Sequence, residues 1–177
     1  PGVKIFESDE QIIKYDENEY IFSSQGFNPF SHTHCSSQHF ASIVDILRKN
    51  ETQIVHFHHF WNVGTDFIYY VMSNLPGAKF IITLHELLAI CYADGQMVKR
   101  GSNALCYKAS SIDCHLCFPE VSRTAFSMRH EYMRSFLEKF DAIISPSEFL
   151  AARVTEWGLS RDIYVLENGY HTIEPEP

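Results

Sequence analysis

Basic residues are scarce in this sequence, since 14 lysines and arginines stand against 22 acidic residues and the formal net charge is −8. Phosphate binding needs a dense Lys/Arg surface, so the balance argues against a nucleic-acid partner. Long hydrophobic runs are also missing: the longest apolar stretch, residues 80–93, is interrupted by His85 and Glu86 and is too short to cross a bilayer. No signal peptide, internal repeat or low-complexity block is visible. We therefore expect a cytoplasmic protein, at most peripheral to a membrane in its full-length form.

Cysteine is present five times, and an odd number fits poorly with a fully disulfide-paired secreted scaffold. With 177 residues, of which 45% are hydrophobic, the chain buries a sizeable core without disulfides. These numbers predict one soluble domain over residues 1–167, with residues 168–177 beginning a linker.

Strand and helix patterns alternate along most of the chain. Strands are predicted at Ile54–Phe60, Lys79–His85, Ala142–Ser145 and Asp162–Glu167. Helices are predicted near residues 38–50 and 66–75, and as a long amphipathic helix whose apolar side carries Phe126, Met133, Phe136, Leu137 and Phe140. This order predicts an α/β fold, a Rossmann-like parallel sheet with helices on both faces.

One further helix has a strong start signal. Ser145, Pro146 and Glu148 have the spacing of an N-cap, a first-turn proline and the third residue of a capping box. The helix is expected to stop at Gly158.

The first quarter of the chain is harder to assign. Short strands are predicted at residues 3–7 and 19–23, followed by a loop over residues 25–37. His32 and His34 lie in that loop and are expected at the surface.

Polar side chains follow several of the predicted strands. They are His58 and His59, His85 and Glu86, Ser147, and Asn168. Because the carboxyl ends of parallel strands open into one crevice, these residues are expected to meet there as a binding site. Strand alternation, however, predicts that His58 and His59 lie on opposite faces.

The histidines also suggest an alternative function. His56, His58 and His59 form an HxHH pattern typical of the start of a binuclear metallohydrolase site, although the nearby aspartate that such sites need is missing. A His-dependent metallohydrolase therefore stays a less favoured hypothesis.

Residues 87–120 show little periodicity and are too long for an ordinary connection. They contain Cys91, Cys106, Cys114 and Cys117 in the spacing C-x14-C-x7-C-x2-C. The last pair can place two thiolates on one metal, and the earlier cysteines complete a tetrahedron. The alternatives are a structural Zn²⁺ or, in its absence, buried thiols or a disulfide.

Four segments together resemble a known family. They are IVHFHHF, FIITLHELLAICYADGQM, LCYKASSIDCHLCFP, and FDAIISPSEFLAARVTEWG with VLENGY. Their order and spacing, over residues 53–170, resemble the N-terminal domain of the family-4 retaining glycosyltransferases, which have the GT-B fold.

The resemblance implies a function and roles for single residues. It implies the acceptor-side half of an enzyme that moves a sugar from a nucleotide-sugar donor to a glycan or lipid-linked acceptor, as in polysaccharide biosynthesis, without a catalytic cofactor. His85 matches the family's T-L-H-D/E histidine and is the implied catalytic residue. His58, His59, Glu86, Ser147 and Asn168 are the implied substrate-binding residues.

The sequence also departs from the family. The glycine-rich loop after the first strand and the second domain with its Glu-x7-Glu motif are not seen; Glu148 and Glu156 have that spacing but belong to a predicted helix. No Asp-x-Asp is present to bind a metal-diphosphate. The 177 residues alone are therefore expected to be inactive, and a non-catalytic, zinc-stapled binding module stays an alternative.

Overall fold

The computed structural model describes residues 12–17, 19–22, 26–34 and 40–169. These residues form eight strands and five helices. In chain order they are β1 (Ile12–Asp16), β2 (Glu19–Phe22), β3 (Phe27–Asn28), β4 (Thr33–His34), α1 (Phe40–Lys49), β5 (Ile54–Phe57), α2 (Thr65–Asn74), β6 (Lys79–Thr83), α3 (Ser111–Cys117), α4 (Arg123–Leu137), β7 (Ala142–Ser145), α5 (Glu148–Glu156) and β8 (Ile163–Val165). The chain divides into two compact units, one from residues 1–53 and 60–78 and the other from residues 54–59 and 79–177.

A four-stranded sheet organises the second unit. Its strands lie in the order β5-β6-β7-β8, and every neighbouring pair is parallel. Ile82 and Ile143 at its centre are fully buried, as expected of strands rich in β-branched residues. The predicted α/β fold with a parallel sheet is confirmed, although β5 and β6 end earlier than predicted, at Phe57 and Thr83.

Helix α4 supplies much of the core of this unit. It begins where the Ser122 hydroxyl accepts a hydrogen bond from the Ala125 amide, and this satisfies one of the free amides of the first turn. Its predicted apolar side is confirmed, since the following side chains are buried: Phe126, Met133, Phe136 and Leu137. Each such side chain contributes roughly 1.5–3 kcal/mol of burial free energy. Phe140 lies beyond the helix end and packs against Phe136, with ring centroids 5.3 Å apart.

The predicted start of α5 is wrong by two residues. Ser147, with extended backbone angles, caps the helix by accepting from the Leu150 amide at 3.2 Å. Ser145 instead ends β7, where it is fully buried and donates to the Ser147 carbonyl at 2.8 Å. Glu148 is therefore the first residue of the helix and not the third, so the expected capping box does not form. The helix end at Gly158, whose φ is +108°, agrees with the prediction.

The cysteine-containing segment is more ordered than its composition suggests. Val98 and Leu105 pair across an antiparallel bridge, and residues 99–103 make the turn between them. The short helix α3 follows, capped by Ser110, whose hydroxyl accepts from the Asp113 amide at 3.0 Å. The sequence did not predict this helix, because seven residues carry too little periodicity.

The first unit contains two small antiparallel pairs, β1 with β2 and β3 with β4, and the helices α1 and α2. Phe40 of α1 packs on Phe67 and Tyr70 of α2, with ring centroids 5.1 and 5.7 Å apart. The strand predicted at residues 19–23 is confirmed as β2, whereas the strand predicted at residues 3–7 lies outside the described residues.

The two histidines of the predicted surface loop are buried, so that prediction is wrong. His32 is 1% exposed, and its ring meets the Phe60 ring edge-on at 5.2 Å. The His34 side chain is fully buried and holds Asp66 at 3.1 Å. An imidazole has an apolar ring face that can pack in a core and polar nitrogen atoms that can contact polar groups, so histidine can occupy a small core.

Gly64 is required by this packing, and its replacement is the first test of the fold. Its φ is +90°, and a Cβ atom there would overlap the His34 ring and the Asp66 carboxylate. Gly64→Ala is therefore expected to lower the free energy of unfolding by about 2–4 kcal/mol, from strain and steric overlap together. The matched control is Gly77→Ala, because a Cβ atom at Gly77 meets nothing within 4 Å. Urea unfolding of both variants would contradict the packing if their midpoints were equal.

Candidate functional site

The candidate site lies at the carboxyl edge of the four-stranded sheet. His58 and His59 directly follow β5, while His85 and Glu86 follow its neighbour β6. Because β5 and β6 are parallel and in register, with Phe57 opposite Ile82, both pairs leave the sheet at the same edge.

Direct contacts join these four side chains. His58 Nδ1 lies 3.2 Å from His85 Nε2, with the two rings stacked at 5.5 Å. The His59 ring lies 5.1 Å from that of His85, and its Nδ1 is 3.2 Å from Glu86 Oε1. The predicted meeting of His58, His59, His85 and Glu86 is therefore what the structure has.

The expected separation of His58 and His59 is wrong. Strand alternation would place them on opposite faces only if β5 continued through them, but the ladder ends at Phe57. Beyond that point the backbone is free to turn, and both imidazoles contact His85.

Two further polar residues extend the site: His56, which was considered only for the metallohydrolase alternative, and Thr83, which was not predicted. His56 Nε2 shares a 2.7 Å hydrogen bond with Thr83 Oγ1, and the His56 ring lies 4.3 Å from that of His58. The signal was present in the sequence, because residues two apart in a strand share a face: His56 with His58, and Thr83 with His85.

His56, His58, His59 and His85 form what we call the histidine cluster, and electrostatics favour the neutral forms of His56 and His85. Desolvation, and then the charges of His59 and His58, lower the pKa of His85, while Glu86 opposes the shift. Desolvation followed by His58 and His85 lowers the pKa of His56. A neutral imidazole carries one donor and one acceptor, which matches the hydroxyl groups of a polyol.

The cluster is open to solvent, as a binding site must be. The His59 side chain is 48% exposed and that of Glu86 is 26% exposed. His85, between them in the contact network, is half-buried. A ligand can therefore reach these side chains at the sheet edge.

Ser147 and Asn168 are placed differently. The Ser147 hydroxyl is engaged in capping α5, and Asn168 is exposed three residues beyond the end of β8. Within the part of the chain that the structure describes, neither shares a hydrogen bond or ring contact with the histidine cluster. Their substrate-binding roles stay predictions.

The four cysteines predicted as metal ligands come together in the second unit. Cys91, Cys106, Cys114 and Cys117 are free thiols that line one small cavity. Burial, and then the neighbouring Cys91 and Cys106, raise the pKa of Cys114 to about 12. Across residues 12–17, 19–22, 26–34 and 40–169, no three His, Cys, Asp or Glu side chains stand in the arrangement of a ready-formed metal site.

No helix among the described residues is long and apolar enough to cross a membrane.

Comparison with known proteins supplies one match. The family model described as Glycosyltransferase Family 4 matches residues 6–173, nearly the whole chain. No curated protein and no solved structure matches the chain.

The coupling within the histidine cluster can be tested by titration. We expect the His85 imidazole to protonate below its ordinary pKa of 6.5. Removing a charge that opposes protonation should raise this pKa, and removing one that favours it should lower it further. His59→Asn should therefore raise the pKa of His85, whereas Glu86→Gln should lower it.

Histidine-selective NMR titration of the three proteins measures these shifts, with the His85 signals identified by their loss in His85→Asn. Shifts of the same sign in both variants would contradict the arrangement. Because the folded pKa lies below the unfolded value, the cluster should also lower the stability of the fold as the pH falls below 6.5.

The role of Ser147 as the N-cap of α5 can be tested by substitution. Loss of its cap should lower the free energy of unfolding by about 1 kcal/mol in Ser147→Ala, but by only a few tenths in Ser147→Gly. Thermal melting measures this, with the exposed Ser160→Ala as control. An unchanged melting temperature in Ser147→Ala would show that the hydroxyl does not support the helix.

Proposed function

Because the chain belongs to glycosyltransferase family 4, we propose that it forms the acceptor-side domain of a retaining glycosyltransferase. The reaction moves a sugar from a nucleotide-sugar donor to a hydroxyl group of a glycan or lipid-linked acceptor. The observation that carries the proposal is the contact of His85 with both His58 and His59 at an open sheet edge.

The chemistry of this edge suits a sugar. Desolvation and neighbouring histidines lower the pKa of His56 and of His85, and in the neutral form each of these imidazoles offers one donor and one acceptor to hydroxyl groups. Glu86 accepts a hydrogen bond from His59 Nδ1, which leaves His59 Nε2 as an acceptor. This pairing orients one ring before any ligand arrives.

His85 is assigned the catalytic role. It occupies the position of the family's T-L-H-D/E histidine, and its neighbours on two sides restrict its ring. As the bond between the anomeric carbon and the diphosphate oxygen breaks, positive charge develops on the sugar ring. A fixed neutral imidazole that hydrogen-bonds a sugar hydroxyl at that moment lowers the barrier, because its dipole needs no reorganisation.

The assignment to the acceptor-side domain also implies where the donor and the acceptor bind. The donor's nucleotide is held by a second Rossmann-like domain of the parent protein, and the reaction uses no catalytic metal. The acceptor approaches along the edge that carries His58, His59 and Glu86. The reaction takes place in the cytoplasm, at the membrane surface if the acceptor is a lipid.

Replacement of His85 tests the proposal in the full-length enzyme. His85→Ala should lower kcat by roughly 100-fold, because the lost hydrogen bond acts mainly in the transition state. His85→Asn should recover part of the rate, since an amide also donates and accepts. His115→Ala is the matched control, because the His115 ring is bonded to the Val121 carbonyl outside the cluster.

Kinetics with a panel of nucleotide sugars should be measured beside thermal melting of each variant. A strongly lowered melting temperature with normal activity per folded molecule would make His85 a structural residue. Absence of turnover with every nucleotide sugar by the full-length protein would refute the transferase assignment itself.

A further inference from the structure

Four cysteines from three separate local structures converge in the second unit. Cys91 directly follows the turn at residues 88–90, Cys106 follows the Val98–Leu105 bridge, and Cys114 and Cys117 lie on α3. All four line a single cavity of about 20 Å³. Residues three apart share one face of a helix, so the two cysteines of α3 present their thiols to the same side.

We propose that Cys91, Cys106, Cys114 and Cys117 bind one structural Zn²⁺. Four thiolates in a closed tetrahedron are a typical structural zinc site. On binding, each thiol gives its proton to solvent and forms one zinc–sulfur bond, so no oxidant or reductant is needed. Binding requires the four sulfurs to close from their present positions around the cavity onto the ion.

The size of the cavity favours a single ion over an iron–sulfur cluster. A volume of about 10–15 Å³ holds one water molecule, so 20 Å³ is room for one ion and not for several iron and sulfide atoms. Tyr92 and Phe118 border the cavity, with their ring centroids 4.8 Å apart. Four cysteine ligands would leave no open position on the ion. A site with no open position is structural and not catalytic.

The surroundings match the charge of such a site. Zn²⁺ with four thiolates carries a net charge of −2, and a buried anion needs a nearby cation. Arg129 is 3% exposed, and Cys114 and Cys91 are among the groups that favour its charged form. The same guanidinium donates to the carbonyls of Leu88 and Ala89 at 2.8 and 2.9 Å. Arg129 thus connects the cysteines to the segment that follows Glu86.

Donors to sulfur are also in place. Burial, and then Cys91, raise the pKa of Cys106, while the Lys108 backbone amide donates to the Cys106 sulfur and opposes that rise. His130 Nε2 lies 3.8 Å from Cys114 Sγ and can donate to it from a buried position. Such hydrogen bonds to ligand sulfurs orient and stabilise metal ligands.

Elemental analysis of the full chain, produced with zinc and purified under reducing conditions without chelator, tests the proposal. One zinc ion per chain is expected. The double variant Cys114→Ser/Cys117→Ser should lose zinc at least about tenfold, because two of four ligands are removed. His115→Gln is the matched control, since His115 lies between these cysteines but bonds the Val121 carbonyl at 2.8 Å, and it should keep its zinc.

Hydrogen exchange shows where the ion acts. Chelation should increase exchange in residues 87–118 and leave strands β5–β8 protected, because the sheet does not depend on the cysteines. If the double variant fails to fold, cobalt substitution of the unaltered protein decides, since a tetrahedral thiolate site gives sulfur-to-cobalt charge-transfer bands. Metal-free protein, a disulfide among the four cysteines in alkylated samples, iron with sulfide, or cobalt without these bands would each overturn the proposal.

Discussion

The parallel register of β5 and β6 is the constraint on which the candidate site depends. A parallel ladder fixes both strands to end at one edge, so His58 and His85 meet although 27 positions separate them in the chain. The same constraint continues through β7 and β8, which place the start of α5 and the residues after Val165 beyond that edge. Buried isoleucines hold the register, because a slip of one residue would move Ile82 and Ile143 out of the core.

The chemistry of the site depends on more than the position of its residues. It also depends on the short distances between the histidine side chains. Four imidazoles are joined by ring contacts, and repulsion from neighbouring histidines adds to desolvation in lowering the pKa of His56 and of His85. Glu86 acts in the opposite direction on His85, because its carboxylate favours the protonated imidazole.

The sequence was sufficient for the sheet and for the meeting of His58, His59, His85 and Glu86, because strand composition and parallel topology are both local or generic signals. The sequence was not sufficient where the position of a side chain depends on the residue at which a strand ends. The side on which His59 lies depends on β5 ending at Phe57, and the choice between Ser145 and Ser147 as cap depends on where β7 ends. The burial of His32 and His34 depends on Phe60 and Asp66, which lie some thirty residues away in sequence. No periodicity encodes such partners.

The four cysteines lie close in sequence to the candidate site, so the ordering of their segment affects the backbone next to that site. Cys91 lies five residues after Glu86, and the intervening carbonyls of Leu88 and Ala89 are held by buried Arg129. Residues 98–110 contain no buried side chain, so ordering them costs conformational entropy that little hydrophobic burial offsets. The Zn²⁺ that we propose, bound by Cys91 at one end and by α3 at the other, would close the loop between them and reduce the entropy of its unfolded form. The backbone that follows Glu86 would then be fixed in position. A fixed backbone helps the hydrogen-bonding side chains of the candidate site keep their geometry when a ligand binds.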